Sequence, residues 1–438
     1  MTFVDERAGR RAAPAADGRV RSGVLDRAEI DCEVCVVGAS LAGLWLALGL
    51  ALRGRDVVLL DPGEPATTDL GLRRETLRSG LGLTATALCA TADRDTARRL
   101  QHLSDTAYAR AVRLLGVLGF EPEAEGFIHV PGPHGRLDLI DEAAARDTLG
   151  LDSMAELGAT HVAALLGTDA FIGALHDPQA STYALSDLPR RLAGAASAAG
   201  ARIVSRTPLL GADVNGVRKY LTCPTVRVRA DHVAFCGEKG LAAPAPWLRR
   251  ALARANFVEG TFAPRQGRGG ADEAIHEGGA LGLAFSWQGG KLHLRAPTAF
   301  RAGGPGAASV ILRRHGRRVF PALRHAVTGE ARAVSHGVAR HGMPLIGSPR
   351  AGVWYAVALG RQPVVNAALA ADLLTAAILD RDDALQVFRP FAAERSRHVL
   401  PTLTRPVAYW MGRFSDAAER RTARENDLAE GRRARSSG

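Results

Sequence analysis

Cys35-Val36-Val37-Gly38-Ala39-Ser40-Leu41-Ala42-Gly43, with Asp61 beyond it, sets the reading of this chain. An apolar strand enters a tight glycine turn and an apolar helix, Leu41 to Arg53, follows. A second strand, Asp56-Val57-Val58-Leu59-Leu60, then ends at Asp61. That order is the opening βαβ unit of a dinucleotide-binding fold. Gly38 permits the sharp turn, and Gly43 lets the helix pack closely on the sheet. The helix start between them offers free N–H groups and partial positive charge to a diphosphate. Asp61, about twenty residues after the turn, is placed to accept ribose hydroxyls. The middle position of the fingerprint, normally glycine, is Ser40.

Working outward, 438 residues are enough for two or three domains or one interleaved pair. Apolar content of 47% and charged content of 23% describe an ordinary globular chain. The net charge of +11 raises nucleic acid as a partner, but acids interleave with the arginines and only five tyrosines are available for base stacking. We therefore expect neither a nucleic-acid nor a membrane partner, only a mild preference for anionic partners. The longest apolar run, Leu41 to Leu52, is about half of what a bilayer requires. Met1 to Asp31 has no apolar core of a secretory signal, and the five cysteines suit a reducing compartment, so a cytoplasmic location is expected. Cys32 and Cys35, an odd number of positions apart, are expected on opposite faces of a strand. No metal-ligand spacing or G-x-S-x-G elbow is present.

Residues 1–30 read as a loose tail. A long amphipathic helix is expected from Asp93 to Leu118, a strand at Gly126–Val130 and a helix over Asp141–Leu149. Phe171–Pro178 reads as a strand closing in a turn at His176-Asp177. Asp187–Ala199 reads as a helix stopped by Gly200, and Ala201–Val204 as a strand. Val226–Val228 and His232–Gly237 read as two strands. Residues 240–330 alternate and are rich in glycine and proline, as an antiparallel sheet would be. Parallel-sheet character returns at Gly352–Gly360, with a helix over Val364–Leu379. The expected fold class is α/β: a Rossmann-like dinucleotide-binding domain of separated segments (31–100, 165–240, 331–388). An inserted antiparallel-sheet α+β domain (101–164, 241–330) and a C-terminal helical segment and tail (389–438) complete it.

This order of elements resembles the D-amino-acid oxidase (DAO) superfamily of FAD-dependent oxidoreductases, within it the gamma-glutamylputrescine oxidoreductase branch, over roughly residues 30–410. The likeness rests on Val36–Gly43 with Asp61, on Arg78-Ser79-Gly80, on Phe171–Leu175, on Cys236-Gly237, and on Gly342–Gly347 followed by the Val353–Gly360 strand and its helix. It implies FAD as cofactor. The residues implied to hold it are Gly38, Ser40, Leu41, Gly43, Asp61, Arg78, Ser79, Gly80, Cys236, Gly237, Gly347, Gly360, Arg361 and Gln362. The implied reaction removes a hydride from the carbon beside the nitrogen of a small-molecule amine or amino-acid substrate, giving an imine, so the protein must orient a C–H bond and stabilise charge.

Three segments depart from the family's pattern: Ser40, the Leu77–Gly82 stretch and the turn Gly360-Arg361-Gln362-Pro363. These departures keep open a divergent flavoprotein that acts through a protein partner. A flavin monooxygenase is a further alternative. Arg361 would supply positive charge at the flavin or fill its place; His341 would orient substrate or hold its turn. His336, Tyr183, Phe285 and Trp287 are weighed as pocket lining against ordinary packing.

Overall fold

The computed structural model describes residues 28–64, 74–131, 136–238, 244–263, 274–277, 283–288, 290–320, 323, 326–339 and 341–393. The elements run β1 (Ala28–Val37), α1 (Leu41–Leu52), β2 (Val57–Leu60), β3 (Glu75–Leu77), α2 (Ala85–Thr91), α3 (Arg94–Val117) and β4 (Ala124–Val130). Next come α4 (Arg136–Leu149), β5 (Ala155–Gly158), α5 (Ala159–Leu166), β6 (Gly173–Tyr183), α6 (Leu188–Ala198), β7 (Arg202–Val204), β8 (Gly211–Asp213), β9 (Lys219–Thr222) and β10 (Val226–Phe235). The remainder is α7 (Pro246–Ala251), β11 (Ala253–Ala263), β12 (Ala274–Glu277), β13 (Ala284–Gln288), β14 (Lys291–Thr298), α8 (Pro305–Val319), β15 (Val327–Val338), β16 (Leu345–Arg350), β17 (Val353–Val357) and α9 (Pro363–Leu379).

Two sheets organise them. The first has the order β16-β17-β10-β1-β2-β7, with the β8–β9 pair attached at β10. Its neighbours from β17 to β7 are parallel, and β16 is antiparallel. Helix α1 is apolar all round because it is covered all round: the first sheet, α6 and α9 bury it. The second sheet has the order β15-β11-β14-β13-β12-β4-β6-β3, with β5 on β6. Its outer face buries Val258, Phe262, Phe285, Trp287, Leu292 and Leu294 against α5 and α8. The α/β class is as expected from the sequence, and the second sheet is antiparallel apart from the parallel pair β12–β4.

Several local expectations change. Val226–Val228 and His232–Gly237 form one continuous strand, β10, whose first half pairs with β9 and whose second half pairs with β17. β6 does not turn at His176-Asp177 but runs on to Tyr183, because it pairs with β4, β5 and β3 along its length. β6 and β15 lie in the second sheet, outside the division at 165–240 and 331–388. α3 packs on α9 rather than with the inserted sheet. The tail 1–27 and residues 394–438 lie outside the described residues.

Cys32 and Cys35 share one face. Glu33 N and Val34 N both donate to Asp56 O at 3.1 Å, a bulge that restores the face after an odd step. The Cys32 thiol hydrogen-bonds Cys35 and, with burial, pushes Cys35 well above its ordinary pKa, so this pair is an inert core element.

The tightest point is Gly43, where an added Cβ would lie 2.0 Å from Gly38 O, a backbone atom. Gly43→Ala is expected to destabilise the protein by about 1–3 kcal/mol in urea denaturation. Gly116→Ala on α3, with open space around it, should be neutral or slightly stabilising.

Candidate functional site

β1, β10 and β17 are adjacent and parallel, with Val37, Phe235 and Tyr355 in register, so their carboxyl ends open on one edge. At that edge Gly38 has φ +103°, and a Cβ on it would lie 2.4 Å from Gly237 Cα. Ser40 caps α1: its Oγ accepts from Gly43 N at 3.3 Å and donates to Cys236 O. The hydroxyl at the unusual fingerprint position is therefore turned inward and ties the two turns together. Among the described residues Leu41 N and Ala42 N have no acceptor, and both residues are buried. Two buried donors at a helix start make an anion cradle. Asp61 braces it, its carboxylate accepting from Ala39 N at 2.6 Å and Gly63 N at 2.8 Å. One lone pair on each oxygen remains for ribose hydroxyls.

A second cluster joins the stretch after β3 to the start of α9. The Gln362 side chain donates to Thr76 O at 3.0 Å and accepts from Arg78 N at 3.2 Å. Asn366 donates to Leu81 O and Leu359 O, and Ser104 Oγ accepts from Gly80 N and Leu81 N. Gly82 must be glycine-like here: its φ is +83°, and a Cβ would lie 3.1 Å from Arg361 N and Gln362 N. Arg78-Ser79-Gly80 and Gly360-Arg361-Gln362 are thus held against one another. Gln362 is spent on backbone groups, and Arg361 stands beside it just before α9. A polar cavity of about 260 Å³ borders Arg78, Ser79 and Gly80, walled by Gln101 on α3 and by Glu142 and Arg146 on α4.

The inner face of the second sheet supplies the charges. Its register sets His129 (β4), Ala284 (β13), Arg295 (β14), Glu259 (β11) and Arg332 (β15) in one row. Arg332 Nε donates to Glu259 Oε1 at 2.6 Å. The Arg295 guanidinium lies 4.5 Å from the Phe257 ring centroid, and its buried Nε has no partner among the described residues. Phe257 stacks on His336 at 5.0 Å. Arg78 lies 4.6 Å over Phe127.

Burial and one another's charge shift the ionisation of several of these groups. Arg361 keeps solvent contact, yet burial lowers its pKa to about 10, helped by the charges of Arg78 and Arg295. Burial first, and Arg295 second, lower His336 to about 4. Burial likewise holds His129 near 4, with Arg78, Arg361 and Arg146 adding to the shift and Glu142 opposing it. Glu75, on the same inner face as the buried Leu77, rises from 4.5 to about 7. Burial and Glu259 raise it, and Arg295 opposes them.

Gly38, Ser40, Leu41, Gly43, Asp61, Cys236 and Gly237 come together at the first cluster, and Arg78, Ser79, Gly80, Gly360, Arg361 and Gln362 at the second. Gly347 does not join them. It lies beside Tyr355, whose hydroxyl a Cβ there would meet at 2.5 Å. His341 holds its own turn, accepting from Met343 N at 3.1 Å and packing edge-on against Phe391. Tyr183 is core, and Phe285 and Trp287 pack outward against Phe171 and Phe320. Sequence reading overlooked Glu75, His129, Phe257, Glu259 and Arg295. Only the alternation of Lys291–Arg295 hinted that Arg295 faces away from Leu292 and Leu294.

A family model described as "FAD dependent oxidoreductase" (DAO) matches residues 33–377. No curated protein matches the sequence. Among solved structures, glycine oxidase from Geobacillus kaustophilus is similar, with TM-score 0.67, 17% identity and coverage of 84% of this chain and 100% of that one. L-proline dehydrogenase from P. horikoshii gives 0.65 at 12% identity, covering 83% and 97%. L-amino acid deaminase from Proteus vulgaris, with its specific insertion deleted, gives 0.63 at 17% identity, covering 86% and 96%.

An acid whose pKa is raised on folding stabilises the fold below its unfolded pKa and loses that contribution as pH rises through the folded value. For Glu75 the window runs from 4.5 to about 7. Glu75→Gln should therefore be more stable than the parent at pH 8, by roughly 1–3 kcal/mol. The difference should shrink towards pH 4.5 in denaturation curves taken across that range.

Proposed function

The chain belongs to the family of FAD-dependent oxidoreductases, and we propose that it oxidises the C–N bond of a small amine that also carries a carboxylate. The observation that carries this reading is the placing of Arg361 within the field of both Arg78 and Arg295, beside the strand-end edge. Such a cationic setting favours an anionic guest.

The residues present fit the cofactor. The buried N–H groups of Leu41 and Ala42 would take the diphosphate and Asp61 the ribose. The start of α9 with Arg361 would face the end of the flavin that gains negative charge. FAD, when bound, supplies the acceptor for the two electrons removed from the substrate.

The chain's own residues recognise and orient. The unpartnered Nε of Arg295 aims a charge-assisted donor at a carboxylate, and Phe257 and His336 give that guanidinium a flat apolar floor. His336, held neutral by its low pKa, adds no further charge above about pH 4. Arg332 neutralises Glu259, so Glu259 does not cancel Arg295 alone. Fixing the carboxylate fixes the neighbouring C–H bond, which contributes to rate through orientation.

The purified protein is expected to be yellow, and its flavin absorbance should bleach anaerobically with some member of a panel of glycine, L-proline, other amino acids and gamma-glutamylputrescine. A protein that takes up FAD but stays oxidised against all of them overturns the reading. Arg295→Met should raise KM for a carboxylate-bearing substrate about 30- to 1000-fold, with Arg295→Lys recovering part of the loss.

A further inference from the structure

The polar cavity of about 260 Å³ beside Arg78-Ser79-Gly80 has no part in the reading above. Its walls are the stretch after β3, the start of α2, α3, the end of α4 with the turn that follows, and Asp177-Pro178-Gln179 of β6. None of these described walls is a strand end of the first sheet. The cavity falls just under the range of about 300–1,000 Å³ that takes drug-sized ligands, so a guest the size of an amino acid fits it.

Some of its charged groups are engaged already. Glu142 is spent at the start of α2, accepting from Ala85 N at 2.8 Å and from Thr86 N and Thr86 Oγ1. Arg146 donates from Nε and Nη2 to Asp152 O. Asp177 and Asp152 accept from Gln179, at 3.0 and 3.4 Å. Four others keep capacity to spare. The Arg78 guanidinium lies over the Phe127 ring, 4.6 Å from its centroid, and meets no hydrogen-bond acceptor among the described residues. Ser79 Oγ accepts from Gln101 Nε2 at 3.0 Å and retains its own proton. Gln101, only 4% exposed, divides its Nε2 between Ser79 and Asp105 Oδ1, and its Oε1 takes no donor among the described residues. Asp105, one turn further along α3, keeps its second oxygen.

The spare groups are sorted by wall. Arg78 and Ser79 offer N–H and O–H, whereas Gln101 and Asp105 offer oxygen. A guanidinium laid on a ring face keeps its N–H edge for a carboxylate, and paired oxygens suit an ammonium. A lone anion would meet Asp105 and Asp177, and a lone cation would meet Arg78 and Arg146; a guest of both signs avoids either conflict. Burial lowers the Arg78 pKa against the fields of Glu142 and Asp177, a desolvation cost that a bound carboxylate would relieve.

We propose that this cavity binds a small amino acid as a zwitterion, its carboxylate on Arg78 and Ser79 and its ammonium on Gln101 Oε1 and Asp105. The site is additional to the one read from Arg295 and does not depend on the oxidation reading. No bond is made or broken in it.

Calorimetry on FAD-loaded Arg295→Met, in which the other site is weakened, isolates the cavity. The probes are 2-aminoisobutyrate, which has no α-hydrogen to lose, and pivalate and tert-butylamine, which carry a methyl in place of its ammonium and its carboxylate respectively. 2-Aminoisobutyrate should bind about ten-fold more tightly than either. Adding Asp105→Asn, at an exposed position, should erase the preference over pivalate, and adding Arg78→Met the preference over tert-butylamine. Should Arg78→Met fail to fold, Asp105→Asn alone decides. Absence of binding in Arg295→Met, or a preference over pivalate that survives Asp105→Asn, overturns the proposal. If binding follows Asp105 while no amine of the panel reduces the parent's flavin, the oxidation reading falls and the cavity site stands.

Discussion

The structure depends on a backbone contact: the turn at Gly38 meets the turn at Gly237 with no room for a side chain between them. Because β1 and β10 are parallel neighbours, their ends must pass at van der Waals distance, and only glycine backbones allow it. That contact fixes where α1 begins. Ser40 then closes it, capping the helix with one lone pair and tying Cys236 O with its proton. The substitution at the middle fingerprint position is therefore a brace. It leaves Leu41 N and Ala42 N as the donors of the cradle, with Asp61 stiffening the turn from below through Ala39 N.

The second sheet divides its chemistry by face. Outward residues make an apolar core with α5 and α8 and carry the stability of that half. Inward residues carry arginines, acids and histidines at a desolvation cost that is visible in the shifts of Glu75, His129, His336 and Arg361. Groups held so far from their ordinary ionisation are a poor way to stabilise a fold and a common way to build a site. Two of the arginines lie flat on phenylalanine rings, Arg295 on Phe257 and Arg78 on Phe127. The rings give each cation a surface that a small apolar side chain would not.

Much of the first sheet was legible because its signals are local. A strand, a glycine turn and an apolar helix within thirty residues can be read from spacing. So can Pro363 at the first position of α9 and Gly200, with φ +107°, after α6. Where the reading failed, a distant partner overruled a local pattern. β6 runs straight through Asp177-Pro178 because three strands pair along it, and Cys35 joins the face of Cys32 because Asp56 O accepts two amides. His341, weighed between orienting substrate and holding its turn, accepts from Met343 N through Nδ1 and packs on Phe391, while its Nε2 is buried with no hydrogen-bond partner among the described residues.

The sequence by itself determined the dinucleotide-binding turn, the class of fold and the family resemblance, since these rest on residues close along the chain. Tertiary structure alone decided the substrate side. Glu75, Arg295 and Glu259 come from strands far apart in sequence, and no spacing links them. The register of β11 against β14 sets Glu259 opposite Arg295 on the inner face, while Glu75 sits on β3 at the far edge of the same sheet. Tertiary structure also gave Arg361 its place: its backbone is pressed against Gly82, within the field of Arg78 and Arg295.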